Sequence, residues 1–299
     1  MNHKSLFALL LLLLAVSCTS KNNQQENAEA KVTTSTGNKL MSTSKDTLSL
    51  ITSARHASDS TTTSAITIAY PVQNRKNAAL VRAINEWISE QLGGTYGADA
   101  DADYEKLLSD TAAISNHYFA AISKAITDRW REFSDDFEPG TRPEVQFLDS
   151  VGISKMAEGE NWVTMQYVNM SYFGGAHGSY TIFGQTFRKS DGRRIGWEIF
   201  RQDPESNLQD LMRKELVNYF NQGDGTVTED NLQDYLQGEA SAYYLPMPQC
   251  QPLFTKEGIL FLYNQYEIAS YAEGLPQFVL SYDQLMPMLN VTAKRLIRK

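Results

Sequence analysis

The chain has 299 residues, 42% hydrophobic and 11% aromatic, and its 27 Lys and Arg against 35 Asp and Glu leave a formal net charge of −8. An acidic balance without a basic stripe excludes nucleic acid as an expected partner, and a count of two cysteines excludes a disulfide scaffold. The length allows one large domain or two modest ones.

The first residues read as a leader. Lys4 gives a short positive start, and Leu6 to Val16 form an unbroken apolar run ending in Ala15-Val16-Ser17-Cys18. Such a run is shorter than the roughly 20 apolar residues that span a bilayer and suits the core of a signal peptide. The pattern resembles a bacterial lipoprotein signal, with residues 1–17 removed and Cys18 acylated as the mature N-terminus. Ala15 stands where such signals more often carry Leu. Acyl chains bury about 0.8 kcal/mol per CH₂, so the expectation is a protein tethered to a membrane of the cell envelope, outside the cytoplasm. With Cys18 so occupied, Cys250 has no intramolecular partner and reads as a small buried hydrophobe. Residues 18–63 are rich in Ser, Thr, Asn, Gln and Lys with almost no aromatics. They bury too little to offset ordering and are expected to form a flexible stalk. Within them only "LSLI" (48–51) suggests a short strand.

From Ser64 the pattern becomes periodic. "SAITIAYPV" (64–72) alternates as a strand closed by Pro71. Leu80, Ile84, Trp87, Ile88 and Leu92 recur at helical spacing, with Gly93-Gly94 as a stop. A longer helix is expected from Asp103 to Phe133, its apolar side made by Tyr104, Leu107, Leu108, Ile114, Tyr118, Ile122, Ile126 and Trp130. His117 on it reads as a packed or solvent-edge histidine. The period then changes to two, and residues 143–156, 161–173 and 179–190 predict three successive antiparallel strands. Glu158-Gly159-Glu160 turns the first into the second, Gly174-Gly175-Ala176-His177-Gly178 joins the second to the third, and Asp191-Gly192 marks a tight turn after it. A helix follows, with Asp203 as cap, Pro204 in its first turn and Gly223 at its end, burying Leu208, Leu211, Met212, Leu216, Tyr219 and Phe220. A short helix near 229–237, a hairpin turning at Glu257-Gly258, a strand at 277–282 and a closing helix complete the chain. The order predicts an α+β fold, a mainly antiparallel sheet with helices packed on one face.

Little announces chemistry. Asp99, Asp101 and Asp103 mimic the start of a calcium loop, but Tyr104 replaces the glycine of its sixth position and Asp110 the glutamate of its twelfth. "GDGTVTED" (223–230) fails the same template. No metal site, cofactor or catalytic residue is therefore expected, and no G-x-S-x-G or phosphate-loop pattern appears. Two stretches stand out. In 174–178 the consecutive glycines permit positive φ, so the turn can form an anion-binding nest with His177 as polar or proton-transfer group. Alternatively it is an irregular strand connection in which backbone and rings approach closely. In 263–271, Tyr263, Tyr266, Glu267 and Tyr271 crowd together. Tyrosines at this density suit recognition, or they pack over the sheet edge with their hydroxyls in solvent.

"SYFGGAHGSYTIFGQTF" (171–187), "DGRRIGWEIF" (191–200) and "FTKEGILFLYNQYEIASYAEGLPQFVLSYDQL" (254–285) resemble a tandem pair of envelope families, the domains of unknown function numbered 4163 and 3298. The resemblance covers roughly residues 60–290, and the Gly-Gly-Ala-His turn and the Tyr-Glu-Ile-Ala-x-Tyr-Ala-x-Gly segment carry it. Gln265 stands where the family often has Pro. The resemblance implies two α+β domains, 64–175 and 176–299. Relatives in these families include the extracellular part of a lysozyme-binding anti-sigma factor and the region preceding the catalytic domain of a peptidoglycan deacetylase. It implies recognition of a wall-associated protein, such as a lysozyme, or of a peptidoglycan fragment; it does not imply an activity. The expected contact residues are Tyr172, Gly174, Gly175, His177, Tyr263, Tyr266, Glu267 and Tyr271, with Cys18 as the lipid attachment. The alternative is an envelope hydrolase in which folding brings a carboxylate such as Glu267 to His177 as base.

Overall fold

The computed structural model describes residues 33–35, 47–96, 110–138, 140–201, 205–221 and 225–297. Seven strands form one sheet in chain order: β1 (Thr33–Ser35), β2 (Leu50–Ser58), β3 (Thr62–Pro71), β4 (Phe147–Glu158), β5 (Trp162–Tyr172), β6 (Ser179–Arg188) and β7 (Arg194–Ile195). Neighbours are antiparallel except β3 and β4, which run parallel from Thr62↔Phe147 to Ile68↔Ile153. A parallel pair needs a long crossover. Helices α1 (Ala78–Tyr96) and α2 (Thr111–Asp135) lie within that crossover. Asp110 caps α2 by accepting the N–H groups of Ala112 and Ala113.

Both helices pack on one face of the sheet. Leu80, Ile84, Trp87 and Ile88 of α1 and Ile114, Tyr118 and Ile122 of α2 share a core with Ile66, Ile68, Val151, Ile153, Val163, Met165 and Tyr167. Strand alternation sends the intervening residues to the opposite face, which a second sheet covers. Its strands β8 (Leu253–Phe254), β9 (Gly258–Leu262) and β10 (Gln277–Ser281) are antiparallel in the order β10-β9-β8. Leu253, Leu260 and Leu262 meet Ile182, Met156 and Val168 of the large sheet. Phe254, Ile259, Phe261, Phe278 and Leu280 point the other way, into helix α3 (Glu205–Phe220) through Leu208, Met212 and Leu216. Leu285 of α4 (Tyr282–Leu285) and Ala293 and Leu296 of α5 (Val291–Ile297) join the same core. The molecule is thus layered helix, sheet, sheet, helix, an α+β fold in which each sheet carries helices on one face.

Two devices fasten the sheets. Gly184 lies so near the small sheet that a Cβ there would come within 2.6 Å of Leu253 Cδ2. Beside it, Thr164 Oγ1 donates to Phe254 O at 2.8 Å, and Thr186 Oγ1 donates to Pro252 O at 3.1 Å while accepting Phe254 N–H at 3.0 Å.

Several expectations are corrected. The stalk does not extend to residue 63, because Leu50–Ser58 is a strand paired with β3 from Leu50↔Pro71 to Ser58↔Thr63. Its polar composition fits its position, since the side chains of β2 are exposed or half-buried and backbone pairing holds it. Gly93-Gly94 do not stop α1, which continues to Tyr96. A terminating glycine acts through positive φ, which neither adopts. A boundary at 175/176 falls inside the β5–β6 hairpin, whose strands pair from Trp162↔Arg188 to Ser171↔Ser179. The short helix near 229–237 is a 3₁₀ turn at Leu232–Tyr235. Cys18 and the leader, Asp99, Asp101 and Asp103 with the first turns expected of the long helix, and Asp203, Pro204 and Gly223 lie outside the described residues. Among the described residues no helix is long and apolar enough to cross a membrane, and no cluster of His, Cys, Asp and Glu could hold a metal.

Candidate functional site

The 174–178 turn joins β5 to β6 as its sequence predicts. Gly174 and Gly175 sit at φ 83° and 89°, a region that side-chain-bearing residues rarely adopt. Tyr172 lies beneath and closes the turn by donating its hydroxyl to Gly175 O at 3.1 Å. Gly178 is required for a different reason, since a Cβ there would meet Ser171 O at 2.8 Å. The turn leaves His177 exposed at its tip.

His177 is held on three sides. Its Nδ1 lies 3.0 Å from Gly178 O. A carbonyl only accepts, so Nδ1 carries a proton, and Nε2 faces the Tyr266 hydroxyl at 3.5 Å. The imidazole stacks on Tyr271 with ring centroids 3.7 Å apart and planes inclined by 20°. Tyr266 and Tyr271 are themselves neighbours, with centroids 6.0 Å apart. Folding thus unites two segments some ninety positions apart in the sequence.

The segment bearing these tyrosines docks on a sheet edge. β7 pairs with β6 only at Thr186 and Phe187, which would leave the first half of β6 bare. Asn264 substitutes for the missing strand, accepting Ile182 N–H at 2.8 Å and donating to Ile182 O at 2.9 Å. Gln265 Oε1 accepts Tyr180 N–H at 3.0 Å. These amides satisfy backbone groups that an open edge would leave unpaired. Neither amide stands out in the sequence, because both act only once folding brings the 263–274 loop to β6.

Tyr263 is buried and Glu267 half-buried, and each is bonded within the protein. Tyr263 is fully buried and donates its hydroxyl to Pro246 O at 2.8 Å, and burial pushes its phenol far above the ordinary range. Glu267 accepts Gln249 N–H through Oε1 at 2.7 Å and Asn264 N–H through Oε2 at 2.8 Å, buckling two loops together. Burial raises its carboxyl above the usual value despite those two hydrogen bonds. No hydrogen bond or ion pair joins Glu267 to His177 among the described residues.

Tyr266 is the exception in the loop. Its backbone sits at φ 65°, the one described non-glycine residue at positive φ, and its side chain is 56% exposed. Left-handed backbone at a tyrosine costs about 1–2 kcal/mol. Gln237 Nε2 donates to Tyr266 O at 3.1 Å and helps hold this conformation. A shallow groove of about 270 Å³ runs beside it, lined by Phe173, His177, Tyr180, Asn264 and Tyr266 among others. Arg129 lies 4.2 Å over the ring of Phe173 at the groove's flank. The adjoining loop exposes two further tyrosines, Tyr243 at 92% and Tyr244 at 57%. The arrangement can offer flat aromatic faces, a hydroxyl and an imidazole to a ligand.

Residues 198–283 match the family described as "Protein of unknown function (DUF3298)". The tyrosine segment lies inside that span and His177 outside it. Two solved structures share the fold. A member of the DUF3298 family from Bacteroides fragilis is 20% identical with a TM-score of 0.58, over 82% of this chain and 96% of that one. A DUF3298 family protein from Pseudomonas aeruginosa is 13% identical with a TM-score of 0.51, over the same shares. No curated protein matches the chain in sequence.

Proposed function

We propose that this protein is a lipid-anchored, extracytoplasmic recognition module whose groove between the β5–β6 turn and the 263–274 loop contacts a wall-associated protein or a peptidoglycan fragment. The stack of His177 on Tyr271 beside the strained, exposed Tyr266 carries the reading. Strain at an exposed aromatic that the fold nonetheless maintains suits a preorganised contact, because ordering is completed before the ligand arrives. Engagement of both Glu267 oxygens by backbone N–H groups favours binding over hydrolysis. The resemblance of residues 64–175 to family 4163, and of the leader to a lipoprotein signal, supports the proposed location.

The test is a pull-down and glycan-binding screen with wild type, His177→Ala and Tyr266→Ala. Both side chains are exposed, so both variants are expected to melt as wild type does while losing capture of wall protein or muropeptide. Release of the protein from the membrane fraction by Cys18→Ala checks the anchor. Turnover of muropeptides by the wild type, abolished in His177→Ala, would replace the binding reading with the enzymatic one.

A further inference from the structure

A second cavity lies at the opposite end of the large sheet. β5 separates the two, and its 11 residues at about 3.4 Å each put them roughly 35 Å apart. The cavity measures about 580 Å³, more than twice the groove, and falls within the range of small-molecule sites. Its walls come from the residues leading into β2 and α1, the β4–β5 turn, the end of β6 and helix α5. Lys76, Arg188, Lys189 and Arg295 line it, with Glu160 the one carboxylate in the wall.

The charges do not cancel. Beneath the wall, Glu158 receives Lys155 Nζ at 2.6 Å on Oε2 and Lys189 Nζ at 2.6 Å on Oε1, while Leu48 N–H donates to Oε1 at 2.7 Å. One carboxylate thus serves two ammonium groups, all three side chains being largely buried. Arg188 is matched by Asp191. No described residue pairs with the side-chain ends of Lys76 or Arg295. Five cations against three carboxylates leave a local excess of two positive charges on a chain whose net charge is −8. A pocket of one sign framed by low-dielectric walls concentrates counter-ions of the other.

We infer that this cavity binds a small phosphate monoester, its phosphate between Lys76 and Arg295 and its hydroxylated body against Asn74 and Thr292. A phosphate monoester carries about −1.5 to −2 at neutral pH, which matches the local excess, whereas a monocarboxylate leaves half of it unanswered. The volume exceeds that of a phosphate ion alone and accommodates an attached hexose. The flexible Lys supplies a point charge and the Arg a planar fork, a common pairing for phosphate oxygens.

Titration calorimetry on the full chain tests the inference, with glucose 6-phosphate as probe and glucose and glucuronate as comparison arms. Glucose 6-phosphate should bind, more weakly as NaCl rises, and glucose should not. Lys76→Ala and Arg295→Ala should each weaken binding about tenfold, Lys76→Arg should largely restore it, and Lys124→Ala, on the far helix, should change nothing. Lys76 and Arg295 are exposed, so unchanged melting of the variants separates lost contact from lost fold. Absence of binding by the wild type, equal affinity for glucuronate, or affinity unchanged in both alanine variants would overturn the inference. His177→Ala should leave this binding intact, so failure here and failure of the groove are read independently.

Discussion

Tyr266 shows how one residue reports on function through its backbone. A left-handed tyrosine persists only where its surroundings outweigh the cost, and here Asn264, Gln265 and Glu267 fix the segment on either side of it. Asn tolerates this region better than any residue except Gly. Tyr266→Asn is therefore expected to raise stability by up to about 1 kcal/mol, since little packing is lost with a ring 56% exposed. The same variant should lose capture in the binding screen. A melting temperature well below wild type would instead assign the ring a structural role. At this scale residue type misleads in a specific way. Tyr263 and Tyr266 look equivalent in "LYNQYEIASY", yet Tyr263 continues the inward alternation of β9 and Tyr266 lies on the far side of a polar turn. Burial depends on where that strand ends, and Asn264 ends it by folding its amide back onto β6.

At the scale of elements, apolar periodicity was sufficient wherever one face is buried. The helical spacing in α1 and the alternation in β4, β5 and β6 could be read directly, because each of them meets a core along its length. β2 could not, since none of its side chains is fully buried and its order comes from the backbone of β3. What fixes its start is polar: Glu158, at the end of β4, accepts Leu48 N–H, and Lys155 donates to Leu48 O at 3.1 Å. Burial alone would raise the Glu158 carboxyl, but hydrogen bonds from Lys155, Lys189 and Leu48 outweigh it and hold it below the ordinary 4.5. A carboxyl lowered by folding adds stability that is complete above pH 4.5 and is lost as pH falls through its folded value. Unfolding free energy should therefore decline below pH 4.5. Glu158→Gln should flatten that part of the profile and cost about 3 kcal/mol at neutral pH by leaving two partly buried ammonium groups without their carboxylate. Parallel acid profiles in wild type and variant would refute the assignment.

For the whole molecule the question is whether the two sheets are separable. The reading from resemblance divided the chain at 175/176, a natural place because the 198–283 match and the small sheet both lie beyond it. Yet β6 follows that boundary and is paired throughout with β5, which precedes it. β6 is also the strand on which Leu253 of the second sheet rests, with Thr186 bonded to the segment around it. Cut there, the later part would carry β6 without its partner and the earlier part would expose the face opposite α1 and α2. One cooperative unit is therefore expected, and Gly184 tests it because it lies where the two sheets touch. Gly184→Val would drive a branched side chain into Leu253 and toward Met165 O, which is 3.0 Å from the added Cβ. Overpacking of this kind costs about 1–3 kcal/mol. If the layers fold together, Gly184→Val lowers the urea midpoint of a single transition equally by far-ultraviolet circular dichroism and by tryptophan fluorescence, which samples Trp87 in the first core and Trp197 beyond the second sheet. Two separated transitions, with one midpoint lowered and the other unmoved, would show two independent domains meeting at an ordinary interface.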